Sequence, residues 1–122
     1  MSFDWSHYLI IAKKLFDETD ENICKDANLR CAISRAYYAA FHLARLKLHE
    51  KWNIVVSRDS TAHKEVKEYY QQKNMKMIAV NLERMRIDRN KADYYDMVKD
   101  LQAVTQETLK RANKVITALS KL

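Results

Sequence analysis

Apolar residues recur every three or four positions along most of this 122-residue chain. This spacing places them on one side of an α-helix and predicts five helices. The predicted ranges are 2–18, 20–51, 62–73, 75–93 and 101–122. Thr19 and Asp20 supply a break and a cap between the first two helices. The segment 52–61 lacks a helical period, and residues 54–56 within it could form a short extended piece.

The second predicted helix carries apolar residues on two sides. One side has the pattern of a core face, with Leu29, Ile33, Ala36, Tyr37, Ala40, Phe41, Leu43, Ala44 and Leu48. The opposite side, called here the second side, holds Cys24, Asn28, Cys31, Arg35, Tyr38, Ala39, His42, Leu46 and His49. It lacks the lysines and glutamates of a solvent face, and a helix of this kind needs cover all round. We therefore expect the second side to meet another protomer or a ligand.

The chain contains no glycine and no proline, although average usage would give about 7% and 5%. Turns with positive φ are therefore expected to be nearly excluded. Glycine-rich phosphate loops of the P-loop and GxGxxG types are excluded outright. The sequence predicts one all-α domain over residues 1–122: an up-and-down bundle of four to five helices with one long central helix.

The formal charge of +6 lies mostly in the second half, where thirteen lysines and arginines face eight acids. Residues 73–91 carry six cations against Glu83 and Asp88, namely Lys73, Lys76, Arg84, Arg86, Arg89 and Lys91. A basic surface of this kind raises the odds of a nucleic-acid partner. A solvated helix face explains the stretch equally well, since such a net charge is ordinary for a small domain.

The two cysteines, Cys24 and Cys31, would stand about 10 Å apart on one helix, which is too far for a disulfide. Neither has the Cys/His spacing of a zinc site, and no metal or cofactor is expected. Thiols on a buried seam indicate a reducing compartment. With no signal peptide at the N-terminus and no apolar run of membrane-spanning length, we expect a cytoplasmic protein that does not enter a membrane.

Arg35 and His42 are the main candidates for chemistry. A spacing of seven residues is nearly two helical turns, so both side chains should point the same way, about 10 Å apart along the axis. Tyr38 lies between them on that face, and His49 extends the same stripe. A fixed cation, a titratable ring and a phenol could together hold and cleave a phosphodiester. They could also form a polar seam with a purely structural role.

The segment 34–44, with sequence SRAYYAAFHLA, resembles the Arg-x4–6-His motif of the HEPN domain superfamily (higher eukaryotes and prokaryotes nucleotide-binding). Two further segments agree in order and spacing. Residues 59–64 (DSTAHK) resemble the stretch that opens the next helix in small prokaryotic HEPN proteins. Residues 89–95 (RNKADYY) resemble their Arg-x-x-Ala-Asp-Tyr segment. The resemblance spans most of the chain, from Asp4 to about Leu119.

This resemblance implies a helical bundle that forms a two-fold homodimer, with Arg35 and His42 of each protomer facing one another across a cleft. In active family members the cleft is a metal-independent endoribonuclease site, often that of a toxin. Arg35 would bind the scissile phosphate and stabilise the transition state. His42 would act as general acid/base, or orient the ribose 2′-OH, with a pKa near the working pH. The products would be a 2′,3′-cyclic phosphate and a 5′-OH.

Four further residues are supporting or substrate-binding candidates: Tyr38, His49, Arg89 and Asp93. Packing is the simpler interpretation of Tyr38, and an i,i+4 ion pair on a helix is the simpler interpretation of Arg89 with Asp93.

The chain differs from active HEPN members at two positions. Ala36 stands where active members often carry Asn, Asp or His. Ala44 stands where some toxins carry a tyrosine that a partner nucleotidyltransferase modifies. The alternative is therefore a catalytically inactive HEPN module that binds a nucleotide or a partner protein such as a nucleotidyltransferase.

Overall fold

The computed structural model describes residues 3–18 and 24–122, and within them it contains five α-helices and no strand. The helices are α1 (Ser6–Asp17), α2 (Lys25–Trp52), α3 (Ala62–Gln72), α4 (Lys76–Tyr94) and α5 (Leu101–Ser120). The prediction of an all-α bundle with one long helix is confirmed. The break and cap predicted at Thr19 and Asp20 lie outside the described residues. Residues 54–56 are irregular, so the extended piece considered there does not form.

The long helix α2 lies at the centre of the bundle and packs against α1, α4 and α5. Its predicted core face is buried, except for the half-buried Leu43. Five alanines of α2 are fully buried: Ala32, Ala36, Ala39, Ala40 and Ala44. Because side chains at the contact set the distance between helix axes, these methyl groups allow the neighbouring helices to approach α2 closely.

The sequence of the fourth helix predicts apolar contacts from six of its residues, and half of these six are exposed instead. Three of the six residues are buried, namely Ile78, Leu82 and Met85, whereas Met77, Val80 and Ile87 are exposed. The buried face of α4 instead includes the polar residues Asn81 and Asp88. Asn81 is satisfied there because its Oδ1 accepts a hydrogen bond of 2.8 Å from the Arg111 guanidinium on α5.

Three turns of the chain adopt positive φ without glycine, which corrects the expectation from composition. Asn53 (φ 56°) ends α2, Asn74 (φ 59°) lies between α3 and α4, and Asp100 (φ 54°) precedes α5. Asparagine and aspartate visit this left-handed region more readily than other residues with a Cβ, because their short polar side chains form local hydrogen bonds.

An arginine of α2 holds the C-terminal end of α4 in place. The Arg30 guanidinium donates hydrogen bonds to the backbone carbonyls of Ala92 (2.9 Å), Tyr95 (2.5 Å) and Asp96 (3.0 Å). The last carbonyls of a helix have no partner within the helix and carry partial negative charge. The cation therefore ties the two helices together at a point where backbone acceptors are available.

The two cysteines are exposed thiols, so the expectation that they lie on a buried seam was wrong. Cys24 is the N-cap residue of α2, and Cys31 lies in the second turn of this helix. Within the described residues, no helix offers an apolar stretch of the length that crossing a bilayer requires.

Candidate functional site

The side chains of Arg35 and His42 both contact one aromatic pair at the start of α1. The Arg35 guanidinium carbon lies 5.1 Å from the centroid of the Tyr8 ring. The His42 ring stacks on Trp5, with centroids 3.7 Å apart and planes 21° apart. Trp5 and Tyr8 in turn meet edge to face at 5.4 Å. The two predicted site residues therefore share the side of α2 that faces the N-terminal turn of α1.

The second side of α2 is only partly covered. Ala39 is fully buried, four members are half-buried (Asn28, Tyr38, His42 and Leu46), and four are exposed (Cys24, Cys31, Arg35 and His49). Helix α1 supplies much of this cover within the protomer. That another protomer or a ligand covers the remainder stays a prediction.

A cavity of about 650 Å³ lies between the second half of α2, the segment 53–61 and the start of α3. His42, Tyr38 and His49 line it, whereas Arg35 does not. Its lining also includes two arginines and a histidine that sequence reasoning left without a role, namely Arg45, Arg58 and His63. The cavity thus brings three of the candidate residues together with a set of further polar groups.

His42 is held in its neutral form in the folded protomer. Its Nδ1 accepts a hydrogen bond of 3.2 Å from Nε of Arg45, so the neutral ring carries its proton on Nε2. Burial, then the positive charge of Arg45 and the electrostatic influence of His63, lower the pKa of His42 to about 4. The expectation of a pKa near the working pH was therefore wrong for the free protomer, because Trp5 covers the ring and Arg45 contacts it.

The stability of the protein should decrease in mildly acidic solution because of His42. The unfolded chain binds a proton at the ordinary pKa of 6.5, and the folded chain only near 4. The free energy of unfolding should therefore fall as the pH falls between these values, since the unfolded state binds more protons there. Denaturant titrations at a series of pH values would measure this slope. His42→Gln, which does not titrate, should have a shallower slope; an unchanged slope would contradict the assignment.

His63 forms a second buried histidine contact, with a residue of α2. The Tyr37 hydroxyl is hydrogen-bonded to Nδ1 of His63, and the Phe41 ring stacks on His63 at 4.4 Å. Burial, followed by the charges of Arg89 and Arg86, lowers the pKa of His63. Burial also raises the pKa of Tyr37. The segment 59–64, which contains His63, was the one signal in the sequence that pointed to this region.

Arg89 and Asp93 lie on α4, and neither residue lines the cavity. They form the predicted i,i+4 ion pair at 3.2 Å. The Arg89 guanidinium carbon lies 5.8 Å from the Tyr37 ring centroid and 5.4 Å from that of Tyr38. The Arg89 side chain is only 12% exposed, so it supports the two tyrosines from the side of α4.

All three arginines of the basic stretch 73–91 have carboxylate partners within α4. Arg84 pairs with Asp88 at 3.6 Å, Arg86 with Glu83 at 2.9 Å, and Arg89 with Asp93 at 3.2 Å. Lys73 lies over the Trp52 ring. These pairings favour an ion-paired helix face over a free cationic surface for nucleic acid.

The two positions that differ from active HEPN members both lie in the core. Ala36 and Ala44 are 0% exposed, and the Ala44 carbonyl accepts a 2.7 Å hydrogen bond from the Tyr70 hydroxyl. Position 36 therefore brings no polar group to Arg35. Among residues 3–18 and 24–122, no group of three His, Cys, Asp or Glu side chains is arranged to hold a metal ion.

Comparisons with protein-family models, with curated proteins and with solved structures give no match. The resemblance to HEPN domains therefore rests on the three sequence segments and on the residues that they contain.

Proposed function

We propose that the chain is a HEPN-like, metal-independent endoribonuclease that acts as a homodimer, with Arg35 and His42 as the reacting pair. The observation that supports it most is the shared position of these two side chains on one side of α2, against the Trp5–Tyr8 pair. His42 also borders a cavity large enough for a small ligand. An exposed guanidinium on the same side of a helix as a histidine that borders a cavity is a combination suited to a phosphodiester.

In the proposed reaction the ribose 2′-OH loses its proton to solvent water and attacks the neighbouring phosphorus, and the bond from phosphorus to the 5′-oxygen breaks. Arg35 binds the non-bridging oxygens, where negative charge builds up in the transition state. The negative charge of the bound phosphate favours the imidazolium form of His42 and raises its pKa from the low value of the free protomer. The added proton resides on Nδ1, so the hydrogen bond from Arg45 breaks, and the protonated ring donates its Nε2 proton to the departing oxygen.

A second protomer would cover the side of the molecule that carries Arg35. Ile11 lies one helical turn after Tyr8 on α1 and is 48% exposed. Its side chain is therefore available for contact with a second protomer on this side. In a two-fold dimer the single shared cleft would take Arg35 and His42 from both protomers.

The proposal predicts that the purified protein is a dimer and cuts single-stranded RNA in the presence of EDTA. Sedimentation would give the oligomeric state, and gel analysis of a labelled RNA would give cleavage. Intact RNA after incubation with a folded dimer would contradict the proposal. In the cell such an enzyme would be a cytoplasmic toxin or defence nuclease, with a nucleotidyltransferase as its candidate antitoxin partner.

The second candidate is a catalytically inactive HEPN module that binds a nucleotide or a partner protein such as a nucleotidyltransferase. Two observations favour it. Trp5 covers His42 and the ring stays neutral, and Ala36 leaves Arg35 without a polar neighbour at the next position. Nucleotide binding without RNA cleavage, or a nucleotidyltransferase that copurifies with the chain, would support this function over the first.

A further inference from the structure

The cavity beside His42 contains two arginines that the proposed cleavage step does not use. Arg45 lies on α2 one turn after His42, and Arg58 lies in the segment 53–61. Neither takes part in the ion pairs formed among the described residues. Two guanidinium groups that share a cavity without a carboxylate partner favour an anion between them.

The charges around this cavity do not cancel. Burial, and then the positive charge of Arg58, lowers the pKa of Arg45, so the two cations repel each other across the cavity. Asp59 is the acid in the lining. Its Oδ1 already accepts hydrogen bonds from the backbone N–H (2.9 Å) and the hydroxyl (2.5 Å) of Thr61. The lining therefore carries one more positive charge than negative.

The two histidines add neutral donors to the same cavity. Nδ1 of His42 accepts from Arg45, and Nδ1 of His63 is bonded to the Tyr37 phenol. With the phenol as donor, each neutral ring carries its N–H at Nε2, which can donate to an anion. Both rings and both arginines line one space.

The remaining wall of the cavity is aromatic and aliphatic. The half-buried Tyr38 lines it from α2 beside the buried Phe41, and Ile54, Val55 and Val56 line it from the loop. An aromatic ring and apolar side chains beside cations form a combination that binds a nucleotide, because the base packs on them while the phosphate pairs with the cations. Inorganic anions alone would make no use of this apolar wall.

We propose that Arg45 and Arg58 bind an RNA phosphate next to the scissile one, with the attached base against Tyr38 and the apolar loop residue Val55. This proposal rests on the proposed function, because the cavity would bind a second phosphate of the same RNA strand that is cleaved at His42. The site would position the strand so that the neighbouring phosphate reaches His42. Arg45, which contacts both His42 and the cavity, would couple the two positions.

Calorimetric titration of the wild-type protein with AMP, adenosine, inorganic phosphate and a non-cleavable 2′-O-methyl trinucleotide tests this site. The trinucleotide should bind most tightly, AMP more tightly than phosphate, and adenosine most weakly. Arg58→Gln and Arg45→Gln should each weaken trinucleotide binding by about tenfold or more, as expected for lost charge-assisted hydrogen bonds. The matched control Arg84→Gln, an exposed arginine on α4 outside the cavity, should bind like wild type.

Three results would overturn the site: no binding of the trinucleotide, equal weakening by Arg84→Gln, or unchanged binding by the Arg58 variant. AMP binding more tightly than the trinucleotide would also overturn it, in favour of a free nucleotide as ligand. RNA cleavage separates this site from the proposed function. Arginine-dependent binding without cleavage would leave the site standing and reject the nuclease; cleavage with a wild-type KM in Arg58→Gln would reject the site alone.

Discussion

Replacing Arg35 by alanine should slow RNA cleavage by about 10²–10³-fold, the usual cost of removing a group that stabilises transition-state charge. Replacing His42 by alanine should slow it by about 10²–10⁴-fold, the usual contribution of a general acid/base. Arg35→Lys should recover only part of the rate, because an ammonium cannot make the two parallel hydrogen bonds of a guanidinium. Single-turnover rates with a short labelled RNA would measure all three.

Two exposed residues outside the cavity provide matched controls for these variants. His7 lies on α1 and pairs with Asp4, and Lys114 lies on α5. His7→Ala and Lys114→Ala should cleave at the wild-type rate, since neither contacts the candidate site. Circular dichroism would establish that each variant is folded. A folded His42→Ala variant with wild-type activity would show that cleavage does not use this histidine.

The second large effect is on the stability of the protein. It concerns position 36, where active HEPN members often carry a polar residue directly after the motif arginine. Ala36→Asn should lower the free energy of unfolding by about 2–4 kcal/mol, because a larger amide in a packed core causes overpacking and leaves buried polar atoms unpaired. The Ala36 side chain is fully buried against neighbouring helices. Denaturant unfolding followed by circular dichroism would measure the loss.

The same substitution at an exposed alanine of α5, Ala103→Asn, separates burial from helix propensity. Asparagine costs about 0.7 kcal/mol or less against alanine in a helix, so this control should lose no more than that. Equal losses at the two positions would contradict the burial argument. If Ala36→Asn instead kept full stability and cleaved RNA faster, position 36 would face Arg35 rather than the core.

The sequence predicted all five helices, because apolar residues recur at helical spacing along most of the chain, although α1 begins at Ser6 and not at Ser2. The prediction for the third helix, 62–73, differs by one residue from the observed Ala62–Gln72. The placement of Arg35 and His42 on one side of α2 follows directly from their spacing of seven residues, and the structure agrees. These features depend only on local geometry, which the chain encodes in nearby residues.

The features that were missed depend on contacts between distant segments. The low pKa of His42 requires Trp5, which reaches it from the start of α1. The hydrogen bond between His63 and Tyr37 joins α3 to α2, and these two residues are 26 positions apart in the sequence. The cavity with Arg45 and Arg58 depends on the path of the irregular segment 53–61, for which the sequence has no periodic signal. The spacing of apolar residues along α4 likewise could not show which of them pack against other helices.

The chemical ends of the RNA fragments test the central claim most directly. The wild-type protein, incubated with a defined RNA in EDTA, should produce fragments that end in a 2′,3′-cyclic phosphate and begin with a 5′-OH, as attack by the 2′-OH requires. His42→Ala, purified in parallel and used at the same concentration, should produce almost none. Intact RNA, fragments with 5′-phosphate ends, or equal amounts of product from both proteins would contradict the assignment of this site as a metal-independent ribonuclease.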